Sequence, residues 1–125
     1  LPLEEKYGDW WNLLFMIGLA YKNMGEMVKA KEYYEKILRM NPQQVDTLVE
    51  LALGEASTLN MNRAIELLEA AAKLKEDPEI LCNLGMAYLN VGNFDDANYY
   101  IERAYELNPE DEVTVACKRE LAKYI

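Results

Sequence analysis

The residues that most often carry catalysis are scarce in this chain. Histidine does not occur among the 125 residues, and cysteine occurs twice, at Cys82 and Cys117. Hydrolytic triads and most zinc sites thereby lose their usual components. Carboxylates are abundant, in Glu76-Asp77, Asp95-Asp96 and Glu110-Asp111-Glu112, and paired carboxylates do acid–base work when they converge in a pocket. Side chains adjacent in sequence do not face each other on a helix, and each of these runs stands where a helix begins. They read as solvated groups that complement the positive ends of helix dipoles. The sequence has no glycine-rich phosphate loop, no nucleophile beside a base and no cluster of metal ligands. The expectation is a chain that is not an enzyme and has no cofactor or metal.

The charge balance narrows the partners. The formal net charge is −9. Residues 1–62 hold six basic and nine acidic side chains, and residues 63–125 hold seven and thirteen. A nucleic-acid surface needs clustered Lys and Arg, which here would work against a repulsive field, so no nucleic acid is expected. The acidity reads first as solubility. With 28% charged residues, no apolar run reaches the roughly 18 residues of a membrane span, and no membrane insertion is expected. The start shows no secretory-signal pattern. It is Leu1 rather than Met, which reads as a piece of a longer or processed polypeptide. Cys82 and Cys117 allow one disulfide, but two buried small apolar side chains fit them better. That points to a reducing, intracellular, cytoplasmic setting.

The elements that position these residues emerge from internal repetition. Segments 11–42, 45–76 and 78–109 align. Small residues recur at Gly18, Ala52 and Gly85, and again at Ala30, Ala64 and Ala97, stepping by 34 and then 33 residues. Tyr21 returns as Tyr88, Gly25 as Gly92, and Asn41-Pro42 as Asn108-Pro109. Apolar residues at Leu14, Ile17, Gly18 and Tyr21, and at Leu81, Leu84, Gly85 and Tyr88, have helical spacing. Gly25 and Gly92 suit left-handed helix ends, Asn93 suits a helix cap, and Asp77-Pro78-Glu79 is a helix start. Helices are predicted near 10–24, 27–40, 45–58, 61–75, 78–91, 94–107 and 111–124. Two helices packed about 9 Å apart leave no room for a large side chain where they cross, which explains the small residues. Leu14, Tyr34, Leu48, Leu68, Leu81 and Ile101 would fill the flanking space.

This spacing of large, small and aromatic residues with a closing proline resembles the tetratricopeptide repeat, three times in register. The resemblance implies an all-α fold: a right-handed superhelix of antiparallel helix pairs, one domain over 1–125, with repeats at about 11–44, 45–77 and 78–111. Residues 111–124, with Val113, Cys117, Leu121 and Tyr124 on one face, resemble the capping helix. Residues 1–9 look like a remnant of a preceding helix. The middle repeat departs most, with Glu55 in the place of Tyr21 and Tyr88, Leu59 in the place of glycine, and no closing proline.

In this family the first helices of successive repeats line a concave groove where ligands lie. The resemblance places Asn12, Phe15, Leu19, Lys22 and Asn23 there, followed by Asp46, Val49, Glu50, Leu53 and Ser57. The third repeat adds Glu79, Cys82, Asn83, Met86, Leu89 and Asn90. One subtype grips the C-terminal carboxylate of heat-shock chaperones with Lys, Asn and Arg. The matching positions here are Phe15, Leu19, Glu50, Glu79 and Asn83, which lack every cation. The expected function is therefore a protein–protein interaction scaffold whose partner is an apolar or amphipathic peptide segment in the groove. The alternative is a self-assembly unit, a homo-oligomer whose ends or groove contact another copy or the rest of a longer chain.

Overall fold

The computed structural model describes residues 3–125, with side chains from Trp10 onward. Seven helices follow one another among the described residues: α1 (Leu3–Asn23), α2 (Met27–Met40), α3 (Val45–Ser57), α4 (Met61–Leu74), α5 (Pro78–Asn90), α6 (Phe94–Leu107) and α7 (Glu112–Leu121). They pack as hairpins α1–α2, α3–α4 and α5–α6, stacked in chain order and closed by α7 against α5 and α6. No strand occurs among the described residues. Residues 3–9 belong to the first turns of α1 rather than to a separate element. No proline follows Pro2 before Pro42, and Gly8 inside the helix costs only about 1 kcal/mol relative to alanine.

The hairpin turns repeat in detail. Gly25 and Gly92 take φ of 80° and 81°, the left-handed conformation that ends a helix. The bond that closes this end recurs three times: Glu26 N to Tyr21 O at 2.8 Å, Asn60 N to Glu55 O at 2.8 Å and Asn93 N to Tyr88 O at 2.9 Å. Helix starts are capped by side chains that accept from the first free amides. Asp77 accepts from Glu79 N, Asn93 from Asp96 N and Asp111 from Thr114 N.

The core follows the small-residue series. Ala30, Ala52, Ala64 and Ala97 are fully buried, and Leu14, Tyr34, Leu48, Leu68, Leu81 and Ile101 surround them in the interior. At Gly18 an added Cβ would lie 2.6 Å from Tyr34 Cε1, and at Gly85 2.5 Å from Ile101 Cγ1. Those glycines let a large neighbour close over the crossing.

The capping helix buries a different face from the one the sequence suggests. Thr114 and Leu121 are buried and Cys117 is half-buried, while Val113 and Tyr124 are exposed. The buried face takes in Thr114 because its hydroxyl is satisfied, donating to Asp111 Oδ2 at 2.8 Å and lying 3.2 Å from Cys82 Sγ. Tyr124 lies past the end of α7 and stacks on Phe94. Both cysteines are free, with Cys82 buried.

Candidate peptide-binding groove

The groove residues come from the first helix of each hairpin, α1, α3 and α5, at matching heights because the repeats are in register. Asn12, Asp46 and Glu79 occupy one level, Phe15, Val49 and Cys82 the next, then Leu19, Leu53 and Met86, and finally Asn23, Ser57 and Asn90. Asn12, Asn23 and Asn90 are exposed, and Phe15, Leu19, Val49, Glu50, Leu53, Asn83 and Met86 are half-buried.

Cys82 and Leu89 depart from the expectation. Cys82 is 1% exposed and Leu89 is 8% exposed, so neither lines an open surface. The reason is α7. Cys82 is too short to reach past the neighbouring helix and meets Thr114 and Cys117 instead, while Leu89 packs with Ala97, Ile101 and Leu121. The two thiols shift in opposite directions. The hydrogen bond with Cys117 lowers the Cys82 thiol, and the same bond raises that of Cys117. The apolar stripe that stays half-exposed is therefore Phe15, Leu19, Val49, Leu53 and Met86.

The structure gathers part of this set around one cleft of about 190 Å³, with Phe15, Val45, Val49 and Ile80 as its apolar walls. Asp46, Glu50, Asp77 and Glu79 stand around them with Lys75. Lys22 Nζ reaches Glu50 Oε2 at 2.8 Å, tying α1 to α3, and Lys75 Nζ lies 3.8 Å from Asp77 Oδ2. Among the described residues, Asp46 and Glu79 make no side-chain ion pair. The sequence reading missed Val45, Lys75, Asp77 and Ile80 as lining residues. Val45 and Ile80 were within its reach, since Val45 precedes Val49 by one helical turn and Ile80 follows Glu79. Lys75 and Asp77 enter through the α4–α5 loop, whose path has no sequence periodicity to announce it.

Among the described residues no group of three or more His, Cys, Asp or Glu side chains is arranged to hold a metal ion. No helix is long and apolar enough to cross a membrane among those residues.

Comparison with known proteins agrees with this geometry. Sequence models described as the tetratricopeptide repeat match residues 12–44 and 78–111. The chain is 30% identical over 118 residues to the photosystem I assembly protein Ycf3 of Prochlorococcus marinus, covering 86% of this chain and 68% of that protein. It is 28% identical over 110 residues to the BBSome complex member BBS4 of Bos taurus, covering 87% of this chain and 21% of that protein. Among solved structures, the MamA protein superposes with a TM-score of 0.77 at 27% identity, over 82% of this chain and 56% of that one. The first TPR domain of Spaghetti (RPAP3), bound to an HSP90 peptide, superposes with a TM-score of 0.83 at 18% identity, over 90% of each chain, a likeness of fold alone. The repeated hairpins, the sequence models matched at the first and third of them and the relatives together establish that the chain belongs to the tetratricopeptide repeat family.

Proposed function

We propose that this chain is a non-catalytic scaffold that holds an apolar or amphipathic segment of another protein in the groove formed by α1, α3 and α5. The observation that carries the reading is the partly exposed stripe Phe15, Leu19, Val49, Leu53 and Met86, level by level along three parallel helices. Partly exposed apolar side chains in a row favour a partner that removes them from water. The groove does not suit a C-terminal carboxylate, because Glu50 and Glu79 stand where cations would be needed. The carboxylate runs Asp95-Asp96 and Glu110-Asp111-Glu112 lie at helix starts away from the cleft, which supports the non-catalytic part of the reading. The double variant Leu19→Asp/Leu53→Asp tests it, with circular dichroism to confirm the fold. Loss of peptide and partner binding is expected; retention of all partners by the folded variant overturns the groove reading.

A second reading, self-assembly through the first hairpin, has its own observation. Thr47, Leu51 and Gly54 on α3 are buried, as are Ile80, Leu84 and Ala87 on α5, because α2 and α4 precede them. The equivalent residues of α1 are Leu13, Ile17 and Ala20. Leu13 is 52% exposed, and Met16, one turn further along α1, is 67% exposed. This face has the chemistry of a stacking surface and would accept a helix of a second copy. Sedimentation across a concentration series distinguishes the cases. Concentration-dependent association abolished by Leu13→Glu supports self-assembly, and a monomer at high concentration refutes it.

A further inference from the structure

Resting on the groove reading above, we infer that the segment held in the groove is cationic at one end and apolar along the rest. The polar levels that bound the apolar stripe differ. At one end stand Asn12, Asp46 and Glu79, with Glu50 and Asp77 beside them; at the other stand Asn23, Ser57 and Asn90, which carry no charge. The charged groups facing the cleft are the carboxylates of Asp46, Glu50, Asp77 and Glu79 and the ammonium groups of Lys75 and Lys22. Lys22 is held by Glu50 at 2.8 Å and Lys75 leans on Asp77 at 3.8 Å. Asp46 and Glu79 remain, each in the first turn of its helix.

The helix ends reinforce this sign. The N-termini of α3 and α5 converge on the cleft, and free helix N-termini would attract an anion. Here one amide at each start is already taken: Gln44 Oε1 accepts from Asp46 N at 3.1 Å, and Asp77 Oδ1 accepts from Glu79 N at 2.8 Å. Asp46 and Glu79 in the first turns set negative charge at these positive dipole ends, on the rim of the cleft. An anionic segment would face uncompensated like charge. A lysine or arginine beside apolar residues would meet Asp46 and Glu79 while its neighbours cover Phe15, Val49 and Leu53.

The test uses three fluorescently labelled model peptides, helical and of equal length with one identical apolar stripe, whose polar residues are lysine, glutamine or glutamate. Fluorescence anisotropy is measured in 50 mM and 500 mM salt on the whole chain, on Asp46→Lys/Glu79→Lys and on Leu53→Asp. The expected result is at least tenfold tighter binding of the lysine peptide than of the glutamate peptide in low salt. That preference shrinks in high salt and reverses in Asp46→Lys/Glu79→Lys, while Leu53→Asp weakens all three peptides. Equal binding of the three peptides, all weakened by Leu53→Asp, overturns the cationic inference and leaves the scaffold reading standing. Lysine-peptide binding that is insensitive to Leu53→Asp, or no binding by any of the peptides, overturns both. Circular dichroism of each variant separates these outcomes from unfolding.

Discussion

The middle hairpin and the two that flank it build the same joint from different chemistry. In the flanking hairpins an aromatic pair closes the space between first and second helix: Tyr21 stacks on Tyr33 with ring centroids 5.7 Å apart, and Tyr88 stacks on Tyr100 at 5.7 Å. In the middle hairpin the tyrosine position is Glu55, whose side chain is only 4% exposed. Its carboxylate meets Lys31 at 2.8 Å, Asn60 at 3.0 Å and Arg63 at 3.5 Å. Lys31 comes from the preceding repeat, so this charge ties two repeats together as well as one hairpin. The crossings differ too: the flanking ones have glycine beneath Tyr34 or Ile101, and the middle one has Ala52 in a cluster with Ala64 and Leu68. A repeat fold thus conserves the geometry of a joint while its stabilising interaction changes from apolar stacking to a buried ionic hub.

Removing one partner of the hub gives the largest expected effect. Lys31→Ala leaves the Glu55 carboxylate buried with its closest cation gone. Breaking a buried pair costs about 3–5 kcal/mol; because Lys31 is itself partly exposed, we expect about 2–3 kcal/mol by urea unfolding. A loss under about 0.5 kcal/mol, the range of an ordinary surface pair, would show that the hub does not hold the middle joint. The crossings come next. Gly85→Ala forces a Cβ against Ile101 Cγ1 and to 3.2 Å from the Ala97 carbonyl oxygen. Overpacking of this kind costs about 1–3 kcal/mol, offset by about 1 kcal/mol from the better helix propensity of alanine, for a net loss of up to about 2 kcal/mol. Ala52→Gly is expected to lose about 1 kcal/mol instead, so both exchanges destabilise.

The hairpin turn supplies an exchange with opposite signs. Leu59 adopts a φ of 65° where the flanking turns have glycine, a conformation that costs a side-chain-bearing residue about 1–2 kcal/mol. Since Leu59 is 87% exposed, Leu59→Gly forfeits little packing. It should raise stability by about 0.5–1 kcal/mol once the entropy of glycine is subtracted, while Gly25→Leu should lower it. Thermal melts of both variants check the pair.

The smallest effect is confined to high pH. The Tyr34 hydroxyl is buried and meets no partner among the described residues. Burial foremost, and then the charge of Glu50, pushes its pKa up to about 12. An unfolded tyrosine ionises near 10, so this contribution is present in full below that pH and is lost as pH rises through about 12. Tyr34→Phe should remove that alkaline loss and leave neutral-pH stability unchanged within about 0.5 kcal/mol, since no hydrogen bond is given up.

Much of this was legible in the residues. All six flanking core residues follow from the repeat, because a helix recurs every 3.6 residues and leaves its apolar face in plain view; the left-handed turns at Gly25 and Gly92 follow from their glycines, whereas Leu59 takes the same conformation without one. Less legible was the role of Glu55, which departs from the pattern as a mere exception until Lys31, from an earlier repeat, is seen beside it. The groove was legible as a row of levels but not as a cleft, since Lys75 and Asp77 reach it through a loop.

By itself the sequence determined the seven helices, their pairing and the small-residue crossings, since each rests on local propensity and on apolar residues that recur at fixed intervals. Only the tertiary structure decided which groove positions remain available. Cys82 and Leu89 have the spacing of groove residues, yet α7 covers them, and Asp46 and Glu79 make no ion pair among the described residues while Lys22 and Lys75 are taken up by other carboxylates. Burial and charge pairing depend on neighbours distant in the chain, and periodicity along one helix carries no information about them.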